Sequence, residues 1–440
     1  MKSFSHNTLG TKGISRREFL RSTTAVGVGA TVGGVWSSRS AVASKAVSEK
    51  VSIGFVGTAN QARYSISSLA NQNLAAFCDV DSIFLGKAKE EYPQAYVCSD
   101  FRRMVDRKDI DAIVVASPDH LHAPATLAAI ACGKHVYCEK PLTHTVYEAR
   151  RVLQAAEKAN VATQMGTQIH ADSNYRRVVE IIRSGAIGTV TAAHNWAGRA
   201  WSAEGRPPES GAPSTLDWNL WLGPAIERPY SVDYHPANWR KYRAFGGGNL
   251  GDMGCHHMDL SFWALSLDAP TRIESFGPPA EAEGCPHGLK VQYLFPSRGS
   301  RPAVSLNWYD GDRIPEEILS VPTGGGGTLF VGTKGMLRAD YSSWKLYPES
   351  EFADYKPPAP SIPESIGHHA EWIAACKGGE KALCNFSYAV PLTEAVLLGV
   401  LAHRIGMPIE WNSKEFTIAN RPDASMLLSK EYRKGWELPS

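Results

Sequence analysis

The stretch Val51-Ser52-Ile53-Gly54-Phe55-Val56-Gly57-Thr58-Ala59-Asn60-Gln61-Ala62 decides the fold. Its first six residues are mostly apolar and carry no charge, so they read as a buried strand. Gly57 follows at once, and a helical pattern opens just beyond it. A strand that runs through a glycine turn into a helix presents backbone N–H groups at a helix N-terminus. The glycine fingerprint of dinucleotide sites places glycine at the first, third and sixth positions of such a turn. Gly57 fills the first, and Ala62 is an accepted substitute at the helix-packing position. Ala59 departs at the middle position, where glycine lets the backbone approach a pyrophosphate.

Working outward, the same alternation continues. Leu74–Cys78, Ala112–Ala116, His135–Cys138 and Val161–Gln164 read as further strands. Arg63–Asn71, Ser82–Glu91, Pro124–Ala131 and Thr145–Ala159 read as the helices between them. Strands alternating with helices of this length predict a doubly wound parallel sheet, a Rossmann domain over 51–168. Residues 44–50 are a short polar link. Asp79 ends the second predicted strand, where a carboxylate binds the adenosine ribose hydroxyls and repels a 2′-phosphate. That favours NAD over NADP. Ser117-Pro118-Asp119-His120-Leu121-His122 and Glu139-Lys140-Pro141 end the next two strands, at the carboxyl edge where open α/β sheets bind ligands.

After Gln168 the rhythm changes. Asn174–Ser184 reads as a helix and Val190–Trp196 as a strand. From Arg199 to Asn249 the chain is irregular and rich in Pro, Gly and Trp, a length of loop that is more often functional than idle. Thr271–Phe276, Leu289–Leu294, Ala303–Asn307, Gly327–Val331 and Gly335–Ala339 read as strands, and Ile366–Cys376 and Tyr388–Ile405 as helices. These predict a second α/β domain over 169–440 with a mostly antiparallel open sheet. Asp252 and His256 are four apart and share one helix face. Asp252, His256 and Asp259 also match a metal-ligand spacing, but no metal is expected.

Glu139-Lys140-Pro141, with Ser117-Pro118-x-x-x-His122 before it and Gly248-x-x-x-Asp252-x-x-x-His256 after it, resembles the Gfo/Idh/MocA oxidoreductases. Leu216-Asp217-Trp218-x-x-Trp221-Leu222-Gly223-Pro224, Tyr234-His235-Pro236, Trp239-Arg240 and Pro391-Leu392-Thr393-Glu394-Ala395 resemble the Tat-exported branch. The resemblance implies an NAD(P)-dependent enzyme acting on a carbohydrate or polyol, whose open sheet serves substrate binding and homo-oligomer contacts, as a dimer or tetramer. It implies catalytic roles for Lys140, Asp252 and His256. It places Gly57, Thr58, Ala59, Asp79, Ser117, Pro118, His122, Glu139, Lys140 and Gln168 at the cofactor, and Arg199, Tyr234, His235 and Trp239 near the substrate. Trp196 and Trp201 are further candidates for a sugar wall, since aromatic faces suit sugar CH faces.

The first residues point the same way. Ser15-Arg16-Arg17-Glu18-Phe19-Leu20-Arg21, an apolar stretch to Trp36 and Ala41-Val42-Ala43 have the form of a twin-arginine signal over 1–43. The apolar stretch is too short and glycine-rich for a permanent span. Setting it aside turns the formal charge of +2 into a slight acidic excess, 40 basic against 43 acidic groups. With no basic stripe, nucleic acid is not an expected partner. The eight cysteines form no C-x-x-C pair and mostly read as small buried hydrophobes.

Outside the cytoplasm no free NAD pool recycles a cofactor, so the leading expectation is a tightly held cofactor in a closed redox cycle. Two alternatives stay open. One is a glycosidase that labilises its bond by transient sugar oxidation, and the other is a non-catalytic sugar-binding protein.

Overall fold

A continuous apolar strand is stable only when covered on both faces, and the first sheet shows how the chain achieves this. The computed structural model describes residues 50–198, 201–311, 313–315, 318, 321 and 324–439. The expected signal over 1–43 lies outside the described residues, as does Arg199.

Six parallel strands stand in the order β3-β2-β1-β4-β5-β6: β1 (Ser52–Val56), β2 (Asn73–Cys78), β3 (Tyr96–Cys98), β4 (Ala112–Val115), β5 (His135–Cys138) and β6 (Thr163–Met165). Helices α1 (Gln61–Ser68), α2 (Ser82–Glu91), α3 (Phe101–Val105), α4 (Asp119–Ala131) and α5 (Val146–Ala159) connect them. β1 and β4 are buried almost throughout. Sequence reading finds five of the six strands. β3 is three half-buried residues at the sheet edge, too short to show a pattern. α4 begins five residues earlier than expected, with Pro124 in its second turn. That proline removes the N–H that would bond the His120 carbonyl, and Lys430 Nζ approaches that oxygen instead (3.4 Å). α5 opens on a full capping box between Thr145 and Glu148.

The second half is built on α6 (Ser173–Arg183), β7 (Val190–Ala197), the short α7 (Trp218–Leu222) and α8 (Gly248–Leu265). Six strands follow: β8 (Arg272–Phe276), β9 (Lys290–Phe295), β10 (Val304–Asp310), β11 (Gly326–Gly332), β12 (Met336–Ala339) and β13 (Trp344–Tyr347). Helices α9 (His368–Cys376) and α10 (Phe386–Ile405) precede β14 (Ile409–Asn412) and β15 (Thr417–Ile418). The nine strands order as β13-β12-β11-β7-β10-β9-β8-β14-β15. Every pairing is antiparallel except β7 with β10.

α8 lies on one face of this sheet, with Ser261 donating to Asn195 Oδ1 of β7 (2.9 Å). α10 is apolar enough in length and composition to cross a membrane, yet most of it is buried inside the protein, against α5, α8 and β8. One apolar core therefore runs through both halves. All eight cysteines are unpaired, and five are buried.

Candidate active site

The first functional element is the turn after β1. Gly57 has φ +94°, and a Cβ there would stand 2.6 Å from the Ala116 carbonyl oxygen. Only glycine fits that approach. Its N–H donates to Cys78 O (2.8 Å), which fixes the turn against β2. Asp79 reinforces it. One carboxylate oxygen accepts from both the N–H (2.9 Å) and the hydroxyl (2.8 Å) of Thr58, and the other accepts from the N–H of Asp81 (3.0 Å). Burial raises the Asp79 pKa, and these donors oppose the rise. Asp79 thus shapes the turn and lines the cleft at once.

Beside the turn, Ser117 Oγ is buried with no hydrogen-bond partner, at the lip of the same cleft. His122 faces two carbonyl oxygens, those of Pro141 (2.7 Å from Nδ1) and Ser117 (2.8 Å from Nε2). It therefore ties the loop after β4 to the loop after β5. Burial pushes its pKa down to about 4, against the pull of the two carbonyls. Glu139 accepts from Gln168 Nε2 (3.0 Å), which also donates to Tyr137 Oη (2.9 Å). Gly166 makes room for this carboxyl, since a Cβ there would meet Glu139 Oε2 at 2.4 Å. Burial raises Glu139 to about 7.

The centre of the site is an ion cluster. Lys140 Nζ donates to the Asp252 carboxylate (Oδ1, 2.7 Å) and to the Asp252 carbonyl (2.7 Å). Arg240 Nε donates to the same Oδ1 (3.0 Å), and Trp201 Nε1 donates to Oδ2 (2.7 Å). Despite burial, the Lys140 and Arg240 charges hold Asp252 far below the usual carboxylate range. Asp252 is thus a fixed anion whose two oxygens are engaged, and not a proton acceptor. Arg240 is packed between Trp239 (4.2 Å to the ring centroid) and Trp201 (5.5 Å). Asp119, at the start of α4, lies in the field of the same cluster. Burial there outweighs Arg240 and Lys140 and raises its carboxyl to about 8.

Two clefts meet at this cluster. One runs along the carboxyl ends of β1, β2 and β4, from Asp79 past Ser117 to Lys140. The other is an open cleft of about 830 Å³ bounded by Lys140, Gln168, Trp201, Asp252, His256 and Tyr341. Asn60, Gln61, Lys140 and Arg240 line both. His256 faces the open cleft and is partly exposed. His257 is buried behind it, stacked on Tyr341 (5.2 Å, 14°), and burial lowers it to about 4. Asp259 is turned away, where His170 Nδ1 (3.0 Å) and the Tyr388 hydroxyl (2.7 Å) contact it.

The aromatic candidates divide. Tyr234 is buried among Trp218, Tyr242 and Phe245, and Trp196 is buried in the sheet, so neither walls a cleft. His235 and Trp239 line the first cleft, not the open one. His235 Nε2 sits 3.2 Å from Asp81 Oδ2. Trp201 alone of the five described aromatic candidates lines the open cleft. Arg240 is a site residue that sequence reading names only as part of a motif.

Residues 51–167 match the model of the oxidoreductase family with an NAD-binding Rossmann fold, and residues 173–300 match its C-terminal alpha/beta domain. The chain belongs to the Gfo/Idh/MocA oxidoreductase family.

Similar curated members include a levoglucosan dehydrogenase of Pseudarthrobacter phenanthrenivorans, 29% identical over 170 residues, covering 37% of this chain and 35% of that protein. An inositol 2-dehydrogenase of Salmonella typhimurium is 28% identical over 159 residues, covering 36% and 46%. The matched stretch is thus less than half the length of either relative. Among solved structures, the WlbA dehydrogenase of Bordetella pertussis in complex with NADH and UDP-GlcNAcA superposes with a TM-score of 0.60 at 17% identity. That match covers 82% of this chain and 98% of that one, and it establishes a shared fold.

Proposed function

We propose that this member of the family is an NAD-dependent oxidoreductase that moves a hydride to or from a hydroxyl-bearing carbon of a sugar, sugar derivative or cyclitol. The observation that carries the reading is Lys140, held 2.7 Å from Asp252 at the meeting point of the two clefts. The residues present suit a dinucleotide. Gly57 offers bare backbone, Ser117 Oγ lacks a protein partner, and Asp79 and Asp81 make the adenosine end acidic. That acidity favours NAD over NADP. Bound there, the nicotinamide supplies the hydride acceptor or donor.

The chain's own residues do the rest. Lys140 spends two donors on Asp252 and aims its third at a hydroxyl in the open cleft, where a cation stabilises developing alkoxide charge. Asp252 keeps Lys140 in place. His256, facing the same cleft, accepts the proton.

A strap supports a cofactor that stays bound through the cycle. Residues near 215–235 bond to the β2–α2 loop across the first cleft: Ser82 N donates to Thr215 O (2.8 Å) and Asp217 N to Val80 O (2.9 Å). We further propose export by the twin-arginine route and a homo-oligomer formed on the open face of the nine-stranded sheet. There Phe276 and Leu294 are exposed on neighbouring strands.

The test is to purify the protein, denature it and assay the supernatant. About one NAD(H) per chain supports the reading, and an empty protein that also fails to bind added NAD(P) overturns it. Substrate screening then separates net redox from hydrolysis without net NADH, which would move the glycosidase reading forward. Light scattering reports the oligomer.

A further inference from the structure

One wall of the cofactor cleft comes from far along the chain. Trp436 lines it beside Ser99, Phe101 and Leu121. It lies beyond both regions that match the family models. Its side chain is almost fully buried, and its ring sits 6.1 Å from that of Phe101. Arg102 stands 4.5 Å from its centroid and Arg433 5.9 Å.

The segment carrying Trp436 is anchored to two elements, α7 and α5. On one side, Arg433 donates to Gly223 O (2.9 Å), Asn219 O (2.6 Å) and Asn219 Oδ1 (2.7 Å), closing the end of α7 in the strap. On the other, Lys430 Nζ (2.9 Å) and the Tyr432 hydroxyl (3.0 Å) meet buried Glu148 of α5. Five such bonds are more than is needed to tidy a loose end.

The position in the cleft identifies what Trp436 meets. Phe101 follows β3 and Lys140 follows β5, four strand positions apart in the sheet. At the usual strand spacing that is roughly 19 Å. The hydride chemistry belongs at Lys140, so the Phe101 end belongs to the nucleoside half, on the Asp79 side of the glycine turn. The part of the indole that reaches the cleft offers a nucleobase apolar aromatic contact, and base–aromatic contact is sequence-tolerant and strong.

We propose that Trp436 is a cofactor-binding residue that covers the adenine, so that the segment 430–436 and the strap together clasp the nucleoside half of the dinucleotide. This rests on the NAD reading above.

The test compares two nucleotides on the full chain freed of resident nucleotide: NADH, and reduced nicotinamide mononucleotide, which lacks the adenosine. Dissociation constants are measured for wild type, Trp436→Ala and Trp436→Phe. Trp436→Ala is expected to weaken NADH by roughly 5- to 150-fold, the range of one base–aromatic contact. It should leave the mononucleotide unchanged, and Trp436→Phe should restore most of the loss. An equal loss for both nucleotides, or none for NADH, overturns the clasp while leaving the NAD reading intact. Wild type that binds neither nucleotide overturns both. If the alanine variant fails to fold, the phenylalanine variant against Arg433→Ala gives the same two-nucleotide comparison.

Discussion

The two clefts that share Lys140 and Arg240 keep their shapes by different forces. The cofactor cleft is held sterically and by hydrogen bonds local to its loops: a glycine with no room for a Cβ, Thr58 on the Asp79 carboxylate, and His122 beside two carbonyls. At its inner end the open cleft is held by charge, with Lys140, Arg240 and Trp201 converging on Asp252. Shape set by sterics tolerates changes of solvent and salt, whereas shape set by buried charge fails when one partner is removed, because the other is left unpaired. The proposed function puts the chemistry on the charged side and the affinity on the steric side.

Substitutions can break this division. The largest effect is expected from Lys140→Ala, which removes the hydroxyl-orienting cation. kcat/KM on the identified substrate should fall by about 10³-fold, while circular dichroism and NAD(H) content stay near wild type. Next comes Gly57→Ala, whose Cβ would strike Ala116 O in a backbone region that disfavours side chains. It should cost about 1–3 kcal/mol in thermal unfolding and abolish NAD(H) retention, the reverse pattern. Trp201→Phe keeps the ring and deletes one donor to the Asp252 carboxylate. A loss of about 1.5–3 kcal/mol is expected for a hydrogen bond to a charged group, read as a lower kcat/KM with cofactor stoichiometry unchanged.

The smallest effect is one of pH. Burial keeps Asp119 protonated up to about 8, whereas the unfolded chain releases that proton near its ordinary value of 3.8. The folded state therefore binds more protons between those limits, and Asp119 subtracts stability as pH rises from about 4 to 8. Asp119→Asn should melt like wild type at pH 4 and above it at pH 8.

What the sequence made legible follows the same division. β1, Gly57 and the Glu139-Lys140-Pro141 turn are local patterns, and local patterns survive in a linear reading. Trp201, Arg240 and Asp252 come from three separate segments and meet only after folding, so their joint role has no spacing to betray it. Tyr234 and Trp196 misled for a related reason. An aromatic residue in an irregular or alternating stretch looks the same whether it walls a site or fills a core, and here their burial assigns them to the core. Trp436 gave no signal at all, because nothing in its neighbourhood repeats or alternates. The edge strand β3 was too short to show its period.

His122 has a mechanical consequence. A neutral imidazole carries one N–H, so His122 donates to one of the Ser117 and Pro141 carbonyls and packs against the other, a neighbour common to the two loops that floor the clefts. It stands as a strut between the wall of one cleft and the backbone that carries Lys140, so the nucleotide side and the lysine side are braced on one ring.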